Sequence, residues 1–488
     1  MSHLDWVVLT LTLAVIITYG LYKSKTSRNL DGYFLSNRSM PWYLVLLSIM
    51  GTQASAITFI SGPGQAYTDG MRFVQYYFGL PLAMIVISYF FVPVFSKLKV
   101  YTAYEFLEHR FDVKTRTLTS ALFLLSRGLS TGISIFAPSI ILSSLLGWNI
   151  YYTNLVMGGL VIIYTMSGGA KAVAHTQKLQ MIIIFIALFL VGYIAVKLLP
   201  ANIGFKEALG IGRQNGRMNV ITTGFTGQGF NWKDKYNIWS GIIGGFFLAL
   251  SYFGTDHSQV GRYLTAKNET ESKKGLLMNG LVKVPMQFFI LLLGVLVFAF
   301  YQFHPAPVIH SDASITVANS IFLRFVMDHL PQGLIGLIIA IIFLAAWGSI
   351  AAALNSLAAC TVIDFHKKFF VKNETAVKDY KVSQWYTLAW GICCIVIAMF
   401  AYNIGNSLIE AVNIVGSIFY GVILGIFLVA FWIKYIRGNA VFLSALISQV
   451  LVIEIYRQDI LSFLWLNVIG AVLVIVIGLI IQACIRQK

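Results

Sequence analysis

The stretch Leu47-Ser48-Ile49-Met50-Gly51-Thr52-Gln53-Ala54-Ser55-Ala56-Ile57-Thr58-Phe59-Ile60-Ser61-Gly62-Pro63-Gly64 decides how the rest of the chain is read. It lies inside a span long enough to cross a bilayer, yet Thr52, Gln53, Ser55 and Thr58 fall at bilayer depth. Gly51 and the Gly62-Pro63-Gly64 run loosen the backbone around them. In hydrocarbon an unsatisfied carbonyl or amide is costly, so irregular backbone survives only where it is buried in protein or lines a cavity. Two readings follow. One is a broken helix offering carbonyls and hydroxyls to an ion and a solute; the other is a small-residue helix packed tightly on its neighbours.

Outward from this stretch the composition sets the class. The chain is 58% hydrophobic and 11% charged, and apolar spans of about 20 residues recur along it, each enough to cross a core of roughly 30 Å. This is a polytopic membrane protein. The formal charge of +16 does not mark nucleic-acid binding, because the basic residues fall in short loops between spans, the pattern that orients helices in a membrane. The first apolar run, Asp5 to Tyr22, has no basic segment before it and no small-residue cleavage site after it, so it reads as a retained helix. Cys360, Cys393, Cys394 and Cys484 all lie in apolar spans, without the spacing of a disulfide framework or a zinc site.

Thirteen spans are expected, at 5–22, 41–66, 71–96, 117–146, 150–168, 177–199, 238–263, 274–302, 334–364, 384–402, 407–433, 438–456 and 460–484. Loops after the odd-numbered spans hold most of the 35 basic residues, among them Lys25, Arg28, Lys97, Lys99, Lys171, Lys267, Lys367, Lys372, Lys434 and Lys488. That places the N-terminus outside and the C-terminus in the cytoplasm of a cell, in its plasma or inner membrane. The loop at 200–237 reads as an outer cover, and Ile315 to His329 as an amphipathic helix at the outer surface.

Spans two to six and seven to eleven form two five-helix sets. Each opens with a glycine-interrupted polar helix, the second running Phe246 to Gln259 through Gly254-Thr255-Asp256. An odd number of helices per half inverts the second half, the pattern of inverted repeats with sites at the broken helices. The expected division is therefore 1–40 (an extra helix and a cytoplasmic loop), 41–199 (first repeat), 200–237 (outer loop), 238–433 (second repeat) and 434–488 (two further helices).

Local signatures then make the chain recognisable: Ser55-Ala56-Ile57-Thr58-Phe59 with Pro63-Gly64; Tyr101-Thr102-Ala103-Tyr104-Glu105-Phe106-Leu107; and Tyr164-Thr165-Met166-Ser167-Gly168-Gly169-Ala170-Lys171-Ala172-Val173. Gly261-Arg262-Tyr263-Leu264, Leu354-Asn355-Ser356 and Asp364 add to them. The chain resembles the sodium:solute symporter family over roughly residues 30 to 435, and Ala137-Pro138-Ser139 is similar to its iodide and monocarboxylate branch. The resemblance implies an all-α, five-plus-five inverted-repeat core of the LeuT type, with broken first and sixth core helices. It also implies a Na⁺ site carried over to Gly51, Ala54, Ala345, Gly348 and Ser349. Oxygen ligands suit a small hard cation.

Two departures bear on the ion. The family usually places serine where this chain has Gly348, and an acid where it has Gln177. A serine pair that serves a second sodium corresponds to Ala351 and Ala352. The expectation is one weakened sodium site, with His175 and Lys178 beside the ion path as groups that open proton coupling as an alternative. Asp256, at the second break, is a further candidate on that path, against a purely structural role. His175 and Lys178 read equally as charges of the cytoplasmic edge.

For the solute, Arg127 and Lys283 are the basic residues placed deep in the membrane, where a charge faces a cavity or a partner. Arg127 suits a carboxylate, or else makes a cytoplasm-side or interhelical contact. Lys283 matches a sugar-contacting lysine of the sugar-transporting branch, or else pairs with Asp256 or Glu410. Gln53, Ser55, Thr58, Phe73, Gln75, Tyr77, Tyr252 and Asn413 supply hydrogen bonds and aromatic walls, though each aromatic residue also reads as core. The reading that results is a secondary transporter coupling Na⁺ to a small polar solute, a sugar, polyol or organic acid, by alternating access. A proton-coupled or uncoupled carrier and a non-transporting membrane sensor are the alternatives. No nucleophile–base set, metal cluster or phosphate loop marks an enzyme, and no obligatory protein partner is implied.

Overall fold

The protein is described by a computed structural model over residues 1–23, 29–307, 317–370, 376–401 and 408–486. Lys25, Arg28, Lys372, Lys488 and the start of the expected Ile315 helix lie outside the described residues.

Helix α1 (His3–Lys23) is followed by the short α2 (Leu30–Leu35). The polar stretch forms two helices, α3 (Trp42–Gln53) and α4 (Ala56–Asp69). Between them Ala54 (φ −85°, ψ 84°) and Ser55 (φ −89°, ψ 177°) are not helical. A 3₁₀ segment (Gly70–Tyr77) leads to α5 (Leu80–Val86), a π turn (Ile87–Phe91) and α6 (Val92–Leu98). Then come α7 (Glu105–Arg110), α8 (Val113–Leu146) and α9 (Ile150–Lys197). The loop at 200–237 holds α10 (Phe205–Gln214) and a hairpin, β1 (Phe225–Thr226) with β2 (Gly229–Phe230), in which Phe225 lies opposite Phe230.

The second half starts with a π turn (Ser240–Gly244) and the pair α11 (Gly245–Gly254) and α12 (His257–Leu264). It continues through α13 (Glu269–Phe300), α14 (Val317–His329) and α15 (Leu334–Cys360), which runs on as a π segment to Phe370. Helices α16 (Ala376–Phe400), α17 (Leu408–Trp432), α18 (Gly438–Arg457) and α19 (Phe463–Arg486) complete it. Among the described residues ten stretches are long and apolar enough to cross a membrane, beside three shorter apolar helices, Trp42–Gln53, Ile150–Met166 and Ser240–Gly254. Asx caps start the helices that follow sharp turns. Asp112, Asn149, Asp256 and Asn268 each accept a backbone N–H of the first turn, at about 1 kcal/mol per cap.

One expectation is corrected. Gly62-Pro63-Gly64 does not interrupt the helix, because Pro63 lies inside α4. These glycines serve close packing instead: Gly64 abuts the Ala318 backbone of α14, and Gly294 of α13 abuts the Pro63 carbonyl. Helix α9 runs through both spans expected at 150–168 and 177–199, which remain two apolar segments, Ile150–Met166 and Ala170–Lys197. Yet Tyr164 Oη lies 2.5 Å from Thr176 Oγ1, whereas a straight helix would separate these residues by about 18 Å. The run therefore folds back between its two apolar halves.

Side-chain ties lock the ends of the core helices. Asp5 of α1 accepts from Gly333 N at 2.6 Å and Gly336 N at 3.3 Å, capping α15 from another helix. At the other end of α15, buried Asp364 accepts from Arg116 Nη2 (2.6 Å), Thr102 Oγ1 (2.8 Å) and Ser120 Oγ (2.8 Å). Arg116 also bonds Glu108 at 2.6 Å, and Glu108 pairs with Lys368. The loop at 200–237 is docked rather than loose: Gln75 bonds Thr222 Oγ1 (3.0 Å) and Tyr236 O (3.2 Å), and Arg72 pairs with Asp234 (2.8 Å).

Candidate solute and cation site

At the break between α3 and α4, Ser55 N bonds Gln53 O (3.2 Å) rather than Gly51 O, and Ala54 N reaches Met50 O (2.7 Å). The carbonyls ahead of the break thereby lose helical donors. Across from them α15 carries Ala345, Gly348 and Ser349, all buried. Ser349 Oγ donates to Ala346 O at 2.9 Å, which leaves its lone pairs for a cation.

Gln177 of α9 is wedged between these two helices. Its Nε2 donates to Gly348 O and to Thr52 Oγ1, each at 3.3 Å, and its Oε1 accepts from Ser48 Oγ at 2.9 Å. A Cβ on Gly51 would come within 2.8 Å of Gln177, and one on Gly348 within 2.9 Å of Gln180 Oε1. A side chain at Gly51 would press on the stem of Gln177, whereas one at Gly348 would meet the movable end of Gln180. Gln180 has no counterpart among the sequence expectations. A signal existed, since it lies three residues after Gln177 and shares its helix face.

Beside the break is a cavity of about 100 Å³ lined by Gln53, Ser55, Thr58, Tyr77, Tyr252, Asn413 and Ser349 among others. Arg127, Thr131 and Ser134 of α8 form another wall, an i, i+4, i+7 face that the sequence carries openly. Arg127 Nη2 pairs with Asp256 Oδ2 at 3.0 Å and bonds Ser258 Oγ, while Cζ lies 5.3 Å from the Tyr252 ring centroid. Asp256 is fully enclosed: it also accepts from Tyr420 Oη (2.7 Å) and Ser258 N (2.7 Å). Arg127 Nε, in contrast, has no hydrogen-bond partner among the described residues. Tyr420 was not among the expected residues, and nothing in its local sequence, Ile418-Phe419-Tyr420-Gly421, marks it.

Three expected solute residues stand elsewhere. Gln75 holds the loop at 200–237, as above, and Phe73 is stacked on Tyr76 with Tyr236 edge-on, neither of them on the cavity wall. Lys283 is fully buried behind Tyr77, its Nζ 5.5 Å from that ring centroid and without a hydrogen-bond partner among the described residues. It pairs with neither acid considered for it, since Asp256 holds Arg127 and Glu410 holds Lys235 at 2.9 Å. His175 packs edge-on to Tyr19 of α1, and Lys178 lies over the Tyr43 ring at 5.9 Å. Gln177 of that trio bonds the helix that carries Gly348.

A helix interrupted within an apolar span, next to a cavity of hydroxyls, aromatic rings and one guanidinium, defines a membrane transporter rather than an enzyme. The particular family is then plain: the sodium:solute symporter family model matches residues 33–448, and the chain belongs to that family. It is 27% identical to a sodium/sialic acid symporter of Aliivibrio fischeri, over 97% of this chain and 92% of that protein. To the human sodium/iodide cotransporter it is 25% identical, over 88% of this chain and 66% of that protein. A solved structure of a substrate-bound, outward-open Na⁺-coupled sialic acid symporter superposes with a TM-score of 0.88 at 25% identity, covering 99% of this chain and 98% of the other.

Proposed function

We propose that this protein imports a small hydroxylated solute bearing a carboxylate, an acidic sugar, together with Na⁺ by alternating access. The observation that carries the reading is Arg127: its Nη2 is committed to Asp256, while its buried Nε is unpartnered beside a wall of hydroxyls. A carboxylate at Arg127 completes the guanidinium, the charge-assisted geometry that this side chain favours. Ser55, Thr58, Gln53, Thr131, Ser134 and Asn413 then meet the solute hydroxyls, and Tyr252 packs a ring face on it.

Na⁺ is assigned to the carbonyls of Gly51, Ala54 and Ala345 and the hydroxyl of Ser349. Gln177, whose amide donates to Gly348 O, and Ala351 with Ala352 leave no second sodium. Thirteen spans, ten of them forming an inverted five-plus-five core, with the N-terminus outside and the C-terminus cytoplasmic, give the framework. Its limits are 41–199 and 238–433.

The test is uptake into proteoliposomes under an inward Na⁺ gradient, comparing sialic acid, a neutral hexose and a short monocarboxylate. Sialic acid is expected to be taken up and the other two to compete poorly. Preferred uptake of the neutral hexose would falsify the carboxylate assignment. A second reading, proton coupling, draws on Lys283, an unpartnered buried amine. Uptake driven by an imposed proton gradient in choline would favour it.

A further inference from the structure

Helix α12 carries an unusual load for eight residues. His257 Nδ1, Gln259 Oε1, Arg262 Nε and Tyr263 Oη are buried without hydrogen-bond partners among the described residues. So is Asn355 Oδ1 on α15, against which α12 packs. Arg262 is the extreme case. It is 2% exposed and takes part in no ion pair among the described residues. A buried lysine or acid escapes such a cost by becoming neutral, but a guanidinium keeps its charge. Natural folds pair such a charge or give it an anion.

The position of Arg262 says which anion. Asp256, which holds Arg127 at the cavity, is also the N-cap of α12. Arg262 lies six residues further along, roughly 9 Å down the helix axis. Beyond it the helix ends on Met40, whose N bonds Thr265 O at 3.0 Å. The two arginines thus mark two depths along one short helix, the second toward the face proposed as cytoplasmic.

We propose that the α12 seam is the closed exit route, and that Arg262 is a second, transient station for the solute carboxylate once the route opens. In the open state water and the solute satisfy the groups that lack partners here. This rests on the carboxylated-solute reading and adds a binding residue that the central cavity does not contain.

The test uses the full chain in right-side-out and inside-out vesicles, with sialic acid as probe. Arg262→Gln is expected to raise the half-saturating concentration from the cytoplasmic face about tenfold, the loss of one charged contact. From the outer face it should change by less than about twofold, and Arg262→Lys should recover most of the loss. Equal shifts on both faces, or on neither, overturn the exit station while the central reading stands, because the parent still transports sialic acid. If Arg262→Gln does not fold, Arg262→Lys decides, since a smaller shift confined to the cytoplasmic face is still required. A parent that moves no carboxylated sugar removes both ideas together.

Discussion

The two broken helices solve different problems. The break in α3–α4 is neutral: its resources are backbone carbonyls, Ser349 and the amide of Gln177. The break in α11–α12 is charged, with Asp256 clamping Arg127 and Tyr420 around the cavity. A small cation is served by aligned neutral oxygens, which cost little to bury when they are already hydrogen-bond acceptors of the backbone. A carboxylate needs a counter-charge, and that counter-charge needs its own acid to be held in the membrane. On the proposed assignment the cation falls to the neutral break and the carboxylate to the charged one, although Ser349 and Arg127 line the same cavity.

The largest effects should come from the charged break. Arg127→Ala is expected to abolish uptake and to destabilise the protein by about 3–5 kcal/mol, because Asp256 is left buried and unpaired. Thermal unfolding and uptake, measured together, check both halves. The double variant Arg127→Met with Asp256→Leu should regain stability but not transport. Recovery of transport in it would break the comparison at its charged side.

At the neutral break, Ser349→Ala should raise the Na⁺ concentration for half-maximal uptake about tenfold, the worth of one ligand. The solute affinity at saturating Na⁺ should stay unchanged, and a Na⁺ titration of uptake at fixed sialic acid reads this directly. Gln177→Leu removes bonds to Gly348 O, Thr52 and Ser48 and is expected to cost about 1–3 kcal/mol of stability. Loss of Na⁺ dependence in that variant, rather than of stability, would make the amide part of the ion path.

The smallest effect lies outside both breaks. Partial burial pushes the Glu108 carboxyl up, but hydrogen bonds from Lys368 and Arg116 outweigh it, so the group sits below its ordinary value. Its contribution to stability is full above the unfolded value of about 4.3 and is lost as pH falls through the lower folded value. Glu108→Gln should therefore flatten the acid limb of melting temperature against pH and leave neutral pH transport intact.

Sequence legibility divides along the same line. The interruption near Ser55 could be read because polar residues at bilayer depth demand a cavity, and Gly254-Thr255-Asp256 announced the second break. The position within the first was misjudged: glycines that looked like hinges at Gly62 and Gly64 pack against α13 and α14. Local pattern does not distinguish a glycine that bends from one that admits a neighbour. The Arg127–Asp256–Tyr420 cluster joins residues more than 100 positions apart, and no periodicity reports such pairing. Gln75 and Phe73 were drawn toward the solute by composition alone, and the loop at 200–237 claimed them.

Asp5 has a consequence for how the protein is made. Its carboxylate sits in α1 but takes two of its three backbone donors from Gly333 and Gly336, more than 300 residues later in synthesis. Until α15 enters the bilayer, the nascent chain carries an acid in its first helix with only Ser2 to hold it. Contacts of such sequence separation close late in folding. A ribosome that stalls before Gly333 therefore leaves a membrane intermediate bearing an exposed carboxylate, a defect that quality control can sense, and Asp5→Leu should lengthen the lifetime of such truncated chains.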